Sequence, residues 1–183
     1  MKKKILIGVG IILLIVIGVF TYMISTTKKH SPAAIAAYKQ NGMDLSVNYC
    51  RPYKKGRIIF GDKSTGALQP YGEYWRIGAN EATTFTTTTP VLFNGAAIAP
   101  GKYALYAVPG SSNWTIALNN ENDRWGATPP DEKNDVLRTQ VAPNVNADLQ
   151  EQFLISFEPV NDNSVNMVLH WDNTRVTIPV AQK

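Results

Sequence analysis

Twelve consecutive residues, Gly72 to Thr83, hold most of the groups in this chain that are suited to specific chemistry. They are two carboxylates (Glu73, Glu81), a guanidinium (Arg76), Tyr74, Trp75 and Asn80, together with Gly72 and Gly78. One chemistry is glycoside hydrolysis, which needs two carboxyl groups about 5 Å apart for retention or roughly 6.5–9.5 Å apart for inversion. Glu73 and Glu81 are the pair for that, with Tyr74 and Trp75 as rings on which a sugar can stack. A second is anion binding, because guanidinium groups grip carboxylate or phosphate through two parallel hydrogen bonds. Arg51, Arg57 and Arg76 are its candidates. Against both stands a structural use. Arg and Glu near a turn commonly pair with each other, and Trp commonly fills a core. The stretch matches no catalytic signature. We therefore expect a non-catalytic binding site formed or braced by Arg51, Arg57, Trp75, Arg76, Asn80 and Glu81, and assign no catalytic residue. The alternatives are a glycan-active hydrolase using Glu73 or Glu81 and a structural subunit of a membrane complex.

Other reactive groups are sparse. His30 and His170 are two, and a zinc site needs three or four converging ligands. Asn119 to Asp123 is oxygen-rich but lacks the spacing of a calcium-binding helix–loop–helix. Cys50 beside Arg51 has no His close in sequence, and a small buried residue is expected there. There is no glycine-rich phosphate loop and no Gly-x-Ser-x-Gly elbow. No metal and no cofactor are expected.

The elements that must position these groups follow from charge and periodicity. The chain has 183 residues and a formal charge of +4. Five of its 18 basic residues (Lys2, Lys3, Lys4, Lys28, Lys29) lie in the first thirty, which carry no acid. That leaves 13 basic against 14 acidic residues in the remainder. The globular part is nearly neutral, which argues against a nucleic-acid partner. Ile5 to Ile24 is uncharged for twenty residues, about 30 Å of helix, the thickness of a bilayer core. It is longer than the apolar region of a cleaved signal peptide, and Ser25-Thr26-Thr27 is a poor cleavage site. Residues 1–27 are expected to form an uncleaved signal anchor. The lysine balance favours N-in, which places the globular domain in the periplasm of a bacterial inner membrane.

Residues 28–42 are expected to be a linker and a short helix over Ala33 to Tyr38. Ser31-Pro32 suits its start and Asn41-Gly42 its end. From residue 43 to 183 the pattern is β. Asp44–Cys50 alternates, and so do Trp114–Leu118 and Val165–Trp171. Thr83–Thr89 is rich in β-branched residues. Asn94-Gly95 joins two apolar triplets as a hairpin. Lys102–Val108 is apolar on both faces, as a strand covered on both sides must be. About nine short strands with few helices predict an antiparallel β-sandwich, or a jelly-roll-like domain, behind an N-terminal transmembrane helix.

A string of motifs runs in order through the domain: Tyr49-Cys50-Arg51-Pro52, Lys55-Gly56-Arg57, Phe60-Gly61, Pro70-Tyr71-Gly72, Trp75-Arg76-x-Gly78-Ala79-Asn80-Glu81-Ala82-Thr83, Pro100-Gly101-x-Tyr103, Trp125-Gly126 and Asn134-Asp135-Val136-Leu137-Arg138. It resembles an uncharacterised bacterial domain-of-unknown-function family, the one numbered twenty-nine eleven, over about residues 31–180. The resemblance implies a mainly β domain and an envelope location, and it brings no activity or site residues. Cys50 stands where the family's pattern has Ser. The expected partners are the membrane, through residues 5–24, and a glycan, a small anionic ligand or an envelope protein.

Overall fold

The structure, a computed structural model, describes residues 2–183, with side chains at 8, 10–22 and 26–183. One helix, α1 (Lys2–His30), precedes fourteen strands. These are β1 (Ala33–Gln40), β2 (Met43–Cys50), β3 (Phe60–Gly61), β4 (Gln69–Pro70), β5 (Thr84–Thr87), β6 (Val91–Phe93), β7 (Ala96–Ile98), β8 (Gly101–Val108), β9 (Trp114–Asn119), β10 (Asp135–Val141), β11 (Pro143–Asn144), β12 (Gln150–Asn161), β13 (Ser164–Asp172) and β14 (Thr174–Gln182). Within α1, Gly10–His30 is apolar and long enough to cross a membrane, and its side chains from Ile11 to Tyr22 are exposed. The flanking Lys2 to Lys4 side chains and Met1, on which the N-in expectation rests, lie outside what is described.

The fold is the expected antiparallel sandwich. One sheet has the order β1-β2-β5-β8-β9-β10; the other runs β12-β13-β14-β6-β7, with β11 alongside β14. Alternate residues of both sheets meet in a single core. Leu45, Val47, Phe85, Leu105 and Ile116 come from the first; Phe93, Phe153, Met167, Trp171 and Ile178 come from the second. Asn94 (φ 46°) and Gly95 (φ 83°) make the left-handed two-residue turn that a β6–β7 hairpin requires.

The expected helix over Ala33 to Tyr38 is a strand. β1 pairs with β2 along its whole length, from Ala33 opposite Cys50 to Gln40 opposite Met43. The linker-and-helix segment 28–42 therefore divides between the last turn of α1 and the first strand of the sandwich. Alanine's helix preference is worth only tenths of a kcal/mol per residue. Here it yields to the ladder and to burial of Ala36 and Tyr38 on one face. Asn41 (φ 51°) and Gly42 (φ 78°), read as a helix stop, are a hairpin turn.

A third, two-stranded piece pairs β3 with β4 in parallel and closes the loop between β2 and residue 72. Beyond it lies the stretch that the sequence singles out. It runs antiparallel to β8, but with a break. Trp75 exchanges two backbone hydrogen bonds with Ala107, at 2.7 and 2.9 Å, and Leu105 donates to the Thr83 carbonyl at 2.8 Å. Between those points β8 advances two residues and its partner eight. Six extra residues are thrown off the sheet as a loop.

Candidate functional site

The excursion over residues 76–82 is tightly wound. Ile77 has φ 49° and Asn80 φ 62°, both left-handed, and Gly78 has φ 137°. The left-handed region costs a β-branched residue of order 1–3 kcal/mol. Ile77 is fully buried, which contributes roughly 1.5–3 kcal/mol and offsets the strain. The Thr83 hydroxyl donates to the Ile77 carbonyl at 2.6 Å. The long polar connection after β9 braces the loop from outside. Gly126 N–H donates to the Asn80 carbonyl at 3.0 Å, Ala82 N–H to the Arg124 carbonyl at 3.1 Å, and the Tyr74 hydroxyl to the Gly126 carbonyl at 3.2 Å.

That connection is anchored in turn on the outer face of β8. The buried Tyr106 hydroxyl donates to Asp135 Oδ2 at 2.6 Å, and Asn119 Nδ2 donates to Asp135 Oδ1 at 2.7 Å. One Arg138 nitrogen reaches both Asp135 Oδ2 (2.8 Å) and the Tyr106 oxygen (2.9 Å). Burial, then the hydrogen bond to Asp135, pushes the Tyr106 hydroxyl far above its ordinary value of 10.0. This explains why β8 is apolar on both faces yet carries a Tyr on the outer one.

Beside the loop lies a cleft of about 550 Å³. Arg76, Gly78 and Asn80 form one wall, Tyr53, Lys55 and Arg57 another, and His30, the last residue of α1, stands at its edge. Three cations line it, and among the described residues no carboxylate does. Arg76 is half-buried, and one guanidinium nitrogen donates to the Asn80 carbonyl at 3.1 Å. Burial pulls its pKa below the usual guanidinium value, and Tyr74 opposes that only in part. Arg57 is exposed. Its Nε donates to the Lys54 carbonyl at 2.9 Å, which orients the guanidinium.

The inner end of the cleft is aromatic. Trp75 and Trp171 both line it and stack on each other, with ring centroids 6.1 Å apart and planes 22° from parallel. Each is 98–99% buried, and neither indole N–H has a partner. A buried donor left unpaired costs about 1–3 kcal/mol, and the fold carries two of them in adjacent rings. Trp75 is thus a core residue that also closes the cleft, and not the exposed stacking platform its sequence position suggested.

Of the six expected ligand residues, Arg57, Trp75, Arg76 and Asn80 line this cleft together. Arg51 and Glu81 do not. Arg51 Nε donates to the Phe153 carbonyl at 3.0 Å and stitches the end of β2 to β12. Glu81 faces a separate hollow, where it pairs with Lys28 of α1 at 3.0 Å and accepts from the Cys50 thiol at 3.6 Å. Burial pushes the Cys50 thiol up, and Glu81 pushes it further, so it stays protonated. Glu73 pairs with Lys63 at 2.8 Å, away from both cavities. The two carboxylates therefore share no cavity. Lys55, Tyr53, Leu68, Trp171 and His30 were not expected at the site. Arg57 was expected there, but its neighbour Lys55 was legible only as part of a basic turn.

Among the described residues no cluster of His, Cys, Asp and Glu could hold a metal ion. His170 instead contacts the Asp148 carbonyl at 2.9 Å. The oxygen-rich turn is occupied by its own closure: Asn119 Oδ1 accepts from Glu121 N–H at 2.7 Å, and Glu121 from Asn134 Nδ2 at 2.8 Å. No curated protein and no solved structure matches this chain. The motif string that winds the 76–82 loop and ties it to Trp125-Gly126 lies wholly within residues 31–180. That span is matched by the model of a family described as Protein of unknown function (DUF2911), and the chain belongs to that family.

Proposed function

We propose that this is a non-catalytic, membrane-anchored binding module that takes a small anionic ligand in the cleft beside residues 76–82. The observation that carries the reading is the cleft's composition. Lys55, Arg57 and Arg76 line it together without a carboxylate, above an inner end closed by Trp75 and Trp171. An oxyanion suits that lining, because it accepts charge-assisted hydrogen bonds from guanidinium, each worth about 1.5–3 kcal/mol. A neutral sugar offers the acceptors but not the charge. We further infer that α1 is an uncleaved anchor in a bacterial inner membrane and that the sandwich stands in the periplasm. The 29-residue length of α1 supports the anchor, and Lys2, Lys3 and Lys4 before the apolar run against Lys28 and Lys29 after it support the orientation.

The test is thermal melting of the full-length protein in non-ionic detergent, with phosphate, glycerol phosphate and hexuronate set against neutral hexoses. A ligand at a hundred times its Kd adds about 2.7 kcal/mol. For a domain of this size that raises the midpoint by roughly 5–11 °C. At least one anion should do so, and Arg76→Gln should abolish the shift. Equal stabilisation by neutral sugars, or none by any anion, refutes the reading.

A further inference from the structure

We propose that the ligand of this cleft is the phosphate-bearing headgroup of an anionic phospholipid, taken from the leaflet in which α1 ends. This rests on the anion-binding reading above and adds the source of the anion.

The first ground is height. The uncharged run ends at Ile24 and α1 continues to His30, six residues and about 9 Å further along the helix axis. The headgroup layer of a bilayer is roughly 5–8 Å thick on each side. His30 lines the cleft, so the α1 side of the cleft stands at the outer edge of the headgroups. The second ground is attachment. Only Ser31 and Pro32 separate α1 from β1, and the junction is fastened. Ser31 N–H donates to the Thr27 carbonyl at 3.1 Å, Arg51 N–H to the Pro32 carbonyl at 2.8 Å, and Lys28 pairs with Glu81. The cleft cannot swing far from the bilayer on a connection so short.

The third ground is the rim. Tyr53 and Leu68 line the cleft and are each 37% exposed, and Ile58 next to Arg57 is 51% exposed. Apolar and aromatic groups interleaved with Lys55 and Arg57 match the headgroup layer, which is wet and charged on one side and apolar on the other. A soluble phosphate ester in open water has no use for that rim. The volume, about 550 Å³, is within the range of small-ligand sites and admits a phosphodiester with its glycerol.

A soluble phosphate ester offers the same anion, so the experiment separates the two sources. The full-length protein in non-ionic detergent is titrated with short-chain phosphatidylglycerol, glycerol 1-phosphate and short-chain phosphatidylcholine. Tryptophan emission and native mass spectrometry read the binding. We expect one phosphatidylglycerol per protein, at least tenfold tighter than glycerol 1-phosphate and tenfold tighter than phosphatidylcholine. Arg76→Gln and Arg57→Gln should each weaken it by roughly tenfold or more, the loss of one charge-assisted hydrogen bond. Lys39→Gln, on β1 at the opposite end of that strand from Ser31, should not. Arg57 is exposed, so its variant keeps the test valid even if the Arg76 variant melts early. If glycerol 1-phosphate binds as tightly as the lipid, the anion site stands and the lipid source is overturned. If neither anion binds, both readings fall. If the lipid binds equally in wild type and both arginine variants, it is held elsewhere on the chain and the proposal is wrong.

Discussion

Gly78 is where the 76–82 loop meets the end of β2, and its replacement by alanine has a size that the geometry sets. Gly78 lies at φ 137°, and an added Cβ would stand 2.8 Å from the Cys50 carbonyl oxygen and 3.3 Å from Thr83 Oγ1. Cys50 is paired across the sheet with Ala33, so its carbonyl cannot retreat without disturbing β1 and the α1 junction. Backbone strain costs about 1–3 kcal/mol and forced overpacking about 1–3 more. The reduced freedom of the unfolded chain returns about 0.4–1. The net is about 2–4 kcal/mol, a fall of roughly 5–15 °C for a domain of this size. Gly72→Ala is the control. Gly72 is also left-handed, at φ 80°, but its Cβ would meet nothing within 4 Å. Only the conformational cost of about 1–2 kcal/mol remains, less the same return. Melting of full-length wild type, Gly72→Ala and Gly78→Ala in one detergent, followed by circular dichroism, should rank them in that order. Equal shifts for the two variants would falsify the claim that the loop is pinned against β2.

Two further predictions concern the groups that hold the loop. The Tyr106 hydroxyl has its folded-state pKa raised by burial and by Asp135. Its contribution is therefore complete below the ordinary value of 10.0 and lost as pH rises through the folded value. Tyr106→Phe should cost about 1–2 kcal/mol at neutral pH, and its deficit relative to wild type in denaturant melts should shrink above pH 10; a deficit independent of pH removes Asp135 as the cause. Burial keeps Cys50 a protonated thiol, so a chromogenic disulfide reagent should label the native protein far more slowly than the unfolded one. Labelling at the unfolded rate would show that the hollow around Glu81 is open to the reagent.

The sandwich was legible because its strands obey period two and its turns carry local chemistry. Asn94-Gly95 between apolar triplets, and the two-faced apolar run of β8, needed no tertiary information. Ala33 to Tyr38 failed for a definite reason. Four alanines say helix locally, and the opposing evidence, a second Asn-Gly followed by the alternating Met43 to Cys50, lies across the turn. Asn41-Gly42 carries the same hairpin signal as Asn94-Gly95 and outweighs a weak propensity. For the site, the Trp75 to Thr83 stretch pointed to the right loop because Gly78, Asn80 and Thr83 are there to wind it. Of its companions Arg57 was among the expected residues, and the others were hidden. Lys55 comes with Arg57 through the β3–β4 closure, and Trp171 through the packing of one sheet on the other. Arg51 and Glu81 looked equivalent to Arg57 and Arg76 in sequence. The direction in which each leaves the backbone separates them, and no spacing records that.

The two-residue connection between α1 and β1 also makes the pair a lever. A helix adapts to a bilayer thinner or thicker than its apolar length by changing its tilt. With a long linker the domain would ignore that change. With α1 in a bilayer, as proposed above, Ser31 and Pro32 would transmit it and the whole sandwich would lean with the helix. The backbone bonds from Ser31 to Thr27 and from Arg51 to Pro32 stiffen that junction, and the half-exposed Lys28–Glu81 pair adds only a little. On the proposed anchoring, bilayer thickness would thereby become an input to the angle at which the cleft meets the membrane surface.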